Sequence, residues 1–196
     1  MMKEAQTHSN QQLIQLMDFK MSTFLRADAI YKICKIALDS LDNDARKPYI
    51  LNWWTIDESD FEFSLLSKEM QNLLLLNDDP PSDVQNQMYD ELIMVALSSE
   101  YKGVTNTYLS EIMSQMGLGK YEIHGDIEKL EVCPCCDYRT LSSRAHYDIC
   151  GLCNWEDDGT IAQEIYSGPN HMTLREGKEK FRAQMDQLPL SKWTIS

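Results

Sequence analysis

Five of the six cysteines fall within positions 133–153. Cys133, Cys135 and Cys136 stand in the run EVCPCCDYRTL, and Cys150 and Cys153 in DICGLCNW. Two C-x2-C pairs result, Cys133 with Cys136 and Cys150 with Cys153, separated by 13 residues. Four thiolates at about 2.3 Å fill the tetrahedral shell of one Zn2+ ion and leave no open position, which is the pattern of a structural rather than a catalytic zinc. Each C-x2-C turn puts two sulfurs on one side of the ion, and 13 residues suffice for a β-hairpin that brings the second turn opposite the first. Pro134 stiffens the first turn and Gly151 relaxes the second. Asp137 and Asn154 follow the closing cysteines, where such turns need a left-handed residue that Asn and Asp tolerate. Two pairs at this spacing are a strong metal signature.

Cys135 is one sulfur too many. Ligation by the adjacent Cys135 and Cys136 would strain the backbone, so Cys135 is read as a free or packed thiol beside the site. His146 and His171 are substitute ligands on type alone, outweighed by ordinary polar roles. A thioredoxin-like use of C-x-x-C needs a βαβ context, which is absent. Four thiolates and Zn2+ sum to −2, and Arg139 and Arg144 are placed to balance that charge. The next run, Trp155-Glu156-Asp157-Asp158-Gly159, offers three carboxylates for a second metal or a hydrolase. Adjacent side chains diverge, however, and Asp157 or Asp158 holding backbone amides is the simpler expectation.

The elements that must position these residues divide into two parts. Residues 1–128 read as an acidic, mainly helical domain. The periodicity predicts helices over Leu13, Leu16, Met17, Phe19, Lys20 and Phe24, then from an Asp28 cap through Ile30, Ile33, Cys34, Ala37, Leu38 and Leu41. Cys34 on that stripe is expected to be a buried small hydrophobe. In the aromatic run from Lys47 to Trp54, Trp53 and Trp54 cannot both face one core, so one should be partly exposed. Ser59 or Asp60 is expected to cap a helix burying Phe63, Leu66, Met70, Leu73 and Leu74. The run Asp78-Asp79-Pro80-Pro81-Ser82-Asp83 breaks it. A helix from Ser82 to Tyr101 follows, with Met88, Leu92, Val95, Ala96 and Leu97 inward, and Gly103 ends it. Thr105 or Thr107 opens another through Leu109, Ile112, Met113 and Met116. Short strands are expected between Tyr121 and Val132. Residues 129–196 form a zinc-ribbon module, a β-hairpin plus a C-terminal helix. Thr173 caps that helix with Glu176 at the capping-box position, and Leu174, Phe181 and Met185 point inward. The fold class is α+β.

Charge narrows the partners. The chain carries 31 acids against 18 bases, a net of −13, over 196 residues. Residues 57–91 hold ten acids and one base, Lys68. Affinity for nucleic acid comes largely from Lys and Arg on phosphates, so this surface argues against nucleic acid as a partner and favours a basic one. Trp53, Trp54, Asp57, Glu58, Asp60, Glu62, Asp78, Asp79 and Asp83 are the candidate partner surface. No apolar run is long enough to span a membrane, and the N-terminal residues lack a secretory pattern, so a cytoplasmic location is expected.

The runs CPCC, TLSSRAHYDICGLCNWEDDG and YSGPNHMTLREGKEKF occur in the order of the bacterial cysteine-rich CPCC domain, which this segment resembles over residues 131–182. Asp137 stands where members usually have Gly. The resemblance implies an immunity-type or other binding role; joined to the acidic segment 57–91, it gives the expectation of a non-enzymatic protein that binds and neutralises a cognate, basic protein toxin. The two competing readings are a zinc-ribbon nucleic-acid accessory factor, using Arg139, Arg144, Arg175, Lys178, Lys180 and Arg182, and a metal-dependent hydrolase or nuclease using Glu156, Asp157, Asp158 and His171.

Overall fold

The computed structural model describes residues 22–196. The predicted helix over Leu13–Lys20 lies outside them, and its last member, Phe24, is in a strand instead. β1 (Thr23–Leu25) runs directly into α1 (Arg26–Ser40), followed by α2 (Asn43–Trp53), a 3-10 turn (Phe61–Leu65), α3 (Lys68–Leu76), α4 (Asp90–Ser99) and α5 (Asn106–Gln115). Then come β2 (Glu122–His124), β3 (Glu131–Val132), β4 (Arg139–Leu141), β5 (Tyr166–Ser167), β6 (Met172–Thr173) and α6 (Leu174–Gln184). The fold is α+β: a mostly helical first part, then short hairpins and a helix around the cysteines. β1 and β2 pair in parallel, with Phe24 opposite Ile123; β3–β4 and β5–β6 are antiparallel.

α1 serves two cores. Ala29 and Ile33 join one buried cluster with Val104, Leu109, Met113, Ile123 and the cysteine region, so that cluster draws residues from both sides of position 128. Cys34 and Leu38 join the other, with Ile50, Trp54, Phe63, Met70, Leu92 and Ile93. Cys34 is thus the buried apolar residue its position implied, and burial pushes its thiol pKa up. Arg26 is buried at the seam. It donates to the carbonyls of Val104 (2.6 Å) and Tyr101 (3.0 Å) and to Asn106 Oδ1 (3.0 Å), and pairs with Glu128 (2.6 Å).

Several helix boundaries differ from expectation for identifiable reasons. Asp28 is not the cap of α1. Leu25 occupies that place because it is already fixed in the strand pairing, and Asp28 lies in the first turn, where a carboxylate meets the positive helix end. Asp60 heads only the 3-10 turn. Ser67 starts α3, accepting from Met70 N–H at 3.3 Å. The break is enforced from outside: Glu91 accepts the Ser67 N–H and hydroxyl at 2.5 and 2.7 Å, and the buried Gln71 amide donates to the Phe63 and Leu66 carbonyls at 3.0 and 2.9 Å. α4 is shorter than Ser82–Tyr101, because Arg46 binds the Val84 carbonyl (2.9 Å) and Asp90 (2.7 Å) and holds the preceding chain as a loop. Tyr89 is buried there and Met88 faces outward. Thr105 caps α5 through Tyr108 N–H at 3.1 Å, and Gly103 takes the left-handed conformation that ends the preceding run.

Candidate metal centre

The two C-x2-C turns are built alike. The Cys133 N–H donates to the Tyr138 carbonyl and the Cys150 N–H to the Trp155 carbonyl, both at 2.8 Å. The Asp137 N–H donates to the Cys133 carbonyl and the Asn154 N–H to the Cys150 carbonyl, both at 3.0 Å. Closing so tight a loop needs a left-handed residue, and Asp137 and Asn154 supply it at φ +65° and +60°. Asp137 therefore adopts this conformation without glycine. Its carboxylate is held by Lys178 of α6 at 3.1 Å.

This pseudo-twofold arrangement brings the Sγ atoms of Cys133, Cys136, Cys150 and Cys153 within 4.8 Å of one another. Cys133 lies 3.7 Å from Cys153, and Cys136 lies 3.6 Å from Cys150. Tetrahedral thiolates on a zinc-sized ion would be spaced by about 3.8 Å, given metal–sulfur distances of about 2.3 Å. The donor set fits such an ion, and all six cysteines are free thiols. Thiols this close compete for protons. Hydrogen bonds from Cys133, Cys136 and Cys153, joined by the Thr140 hydroxyl at 2.9 Å, pull the Cys150 pKa down. Contacts with Cys133 first, and with Cys150, push Cys136 and Cys153 up. The Leu152 and Cys153 N–H groups also point at the Cys150 sulfur, each at 3.4 Å. The Cys150 sulfur is thus set up to carry negative charge, and a cation would satisfy all four sulfurs at once.

Cys135 is buried but is not one of the four. It packs against Gly177 of α6 and beside Trp155. His146 and His171 are exposed and contribute to no ligand group among the described residues.

Residues 131–184 match the family model described as Cysteine-rich CPCC. The match covers under a third of the chain and speaks for that part alone. No curated protein and no solved structure matches.

Within the CPCC segment the acidic run is used for structure. Asp157 is fully buried. It accepts from Arg144 Nε and from the Ala145 N–H, both at 2.7 Å. Asp158 accepts from the Thr160 N–H (3.0 Å) and the Ser167 hydroxyl (2.7 Å). The backbone of Glu156 is gripped by the Asn170 side chain, its N–H donating at 2.9 Å and its carbonyl accepting at 2.7 Å. The Gly-Pro-Asn-His run thus anchors the Trp-Glu-Asp-Asp-Gly run. The capping box of α6 is complete, with the Thr173 N–H on Glu176 at 2.7 Å and the Glu176 N–H on Thr173 at 3.3 Å.

Sequence reasoning missed the C-terminal tail. Trp193 is buried against Gly151, the Arg139 N–H donates to the Thr194 carbonyl (2.9 Å), and the Ser196 N–H donates to the Asp137 carbonyl (3.0 Å). The tail also reaches the helical part, where the Thr105 N–H donates to the Lys192 carbonyl at 3.0 Å. The short alternation in KWTIS is its one sequence signal.

Of the candidate partner residues, Asp57, Glu58, Asp60, Asp78, Asp79 and Asp83 are exposed, and Glu62 is half-buried beside Lys102 (3.7 Å). Trp53 is half-buried. Trp54 is only 4% exposed, donates to the Asn77 carbonyl at 2.8 Å and meets the Tyr89 ring edge-on. It belongs to the core and drops out of the candidate surface. No helix among the described residues is long and apolar enough to cross a membrane.

Proposed function

We propose that this protein is a non-enzymatic binding protein of the immunity type, which captures and neutralises a basic protein toxin in the cytoplasm, with one structural zinc holding its CPCC segment. The observation that carries this reading is the disposition of its carboxylates. Near the metal centre Asp157 is buried on Arg144 and Asp158 accepts from Ser167, whereas Asp57, Glu58, Asp60, Asp78, Asp79 and Asp83 are exposed, make at most local turn hydrogen bonds and have no ion pair among the described residues. Unpaired surface charge of one sign speeds encounter with an opposite surface and sets specificity.

Four thiolates close the coordination shell, which disfavours hydrolysis at the metal. The nucleic-acid reading is weakened because four of its six cations have internal partners. Arg139 binds the Leu130 carbonyl, Arg144 binds Asp157, Arg175 binds Glu164 and Lys178 binds Asp137.

The test is titration of the purified protein against the basic product of a neighbouring toxin gene, followed by calorimetry. A 1:1 complex is expected. Reversing Asp57, Glu58, Asp78, Asp79 and Asp83 to Lys should weaken it at least tenfold at low salt, with less effect at high salt. Unchanged affinity after reversal, or salt-sensitive binding of the wild type to DNA or RNA, would reject the reading.

A further inference from the structure

One face of the helical part carries large apolar side chains that the fold holds out in solvent. Ile30 and Tyr31 of α1, Phe61 and Leu65 of the 3-10 turn, Val95 of α4 and Tyr101 line a groove of about 460 Å³. Phe61 is 69% exposed, Leu65 54% and Tyr31 62%. The turn cannot roll over to hide them. Phe63 and Leu66 are buried on its inner side, their carbonyls are fixed by Gln71, and Ser67 is fixed by Glu91. Rotation that buried Phe61 would expose Phe63 and break these bonds. Contiguous exposed apolar surface of this kind marks an interaction site.

The charges around the groove select the occupant. Its own ions are matched internally, Lys102 with Glu62 and Arg26 with Glu128. Next to lining residues in the chain, Asp28 after Ala27 and Asp57, Glu58 and Asp60 before Phe61 are exposed and make no ion pair among the described residues. An acidic rim repels anionic lipid, and a second copy of a chain of net charge −13 is repelled likewise. It suits a helix with apolar residues at i, i+3, i+4 and i+7 and Lys or Arg beside them. We propose that this groove is the anchor site for a basic amphipathic helix of the partner protein, with Phe61 and Leu65 as the principal contacts. This rests on the reading of the protein as a receptor for a basic partner.

The experiment uses the full chain and a fluorescein-labelled helical peptide with leucines at that spacing and lysines elsewhere, followed by anisotropy. Saturable binding is expected, and Phe61→Ala with Leu65→Ala should weaken it at least about tenfold, the loss typical of anchor residues. Both side chains are exposed, and an unchanged circular dichroism melt verifies the fold. Peptides with Ser for Leu, or Glu for Lys, should not bind. The proposal is overturned if the double variant binds as the wild type does, or if the Ser or Glu peptide binds equally. It is also overturned if sedimentation shows a dimer, or flotation shows anionic vesicle binding, that the double variant abolishes. If reversal of Asp78, Asp79 and Asp83 weakens capture of the basic protein while the double variant leaves it intact, the groove fails and the acidic-surface reading stands. If the peptide binds the groove but no basic protein is captured, that reading fails and the groove stands.

Discussion

Gly177 leaves room for Trp155: a Cβ on Gly177 would lie 2.7 Å from Trp155 Cζ3 and 3.3 Å from Cys135 Sγ. Glycine inside α6 sacrifices roughly 1 kcal/mol of helix propensity relative to alanine, and this contact explains why it is there. The indole and Cys135 are both buried, so neither can swing away. Gly177→Ala should therefore lower stability by about 1–3 kcal/mol through overpacking, despite the better helix former. Urea denaturation measures it, and a variant more stable than wild type would show that the helix can slide off the ring.

Asp157 holds the loop after the first hairpin as a buried carboxylate, with Arg144 Nε and the Ala145 N–H both at 2.7 Å. Removing one partner of such a pair leaves an uncompensated group. Because Arg144 is about a third exposed, the expected loss for Asp157→Ala is about 3 kcal/mol, the lower end for breaking a buried pair. Metal content of the folded variant should be unchanged. A metal-dependent activity lost in Asp157→Ala with stability intact would instead revive a catalytic role for this run.

The four-cysteine cluster was readable because its parts are local. C-x2-C spacing, Pro134, and the left-handed Asp137 and Asn154 define each turn within six residues, and the fifth sulfur could be set aside on steric grounds. What escaped depends on partners far along the chain. The pairing of Phe24 with Ile123, the break at Ser67 set by Glu91, and the return of Trp193 onto Gly151 leave almost no trace in the local pattern. Trp54 illustrates the same limit: the aromatic run implied that one tryptophan should be partly exposed, but only the Asn77 carbonyl and the Tyr89 ring decide which one is buried.

The four-sulfur cage makes a prediction about stoichiometry. Elemental analysis should find one zinc per chain, and Co2+ in its place should give the visible absorption of a tetrahedral thiolate complex. Cys135→Ser should keep the metal, and Cys150→Ser should lose it. Because structural zinc binding is strongly linked to folding, about 10–16 kcal/mol in small peptides, chelation should shift the fluorescence of Trp155 and Trp193, which pack in the same cluster as the cysteines. Retention of the metal by Cys150→Ser, or its loss in Cys135→Ser, would mean the ligand set is wrong.

Glu128 predicts the acid side of the stability profile. Burial works against its charged form, but hydrogen bonds from Arg26 and the Gly103 N–H outweigh it and hold its carboxyl below the ordinary glutamate value. A carboxyl depressed in the folded state contributes stability that is fully present above the unfolded value of about 4.3 and is lost as pH falls through the folded one. Urea midpoints should therefore hold steady from neutrality to about pH 5 and decline below it. Glu128→Gln should be less stable at neutral pH and show a shallower decline, because the Arg26 contact no longer depends on a proton. Equal slopes for the two proteins would place the acid sensitivity elsewhere.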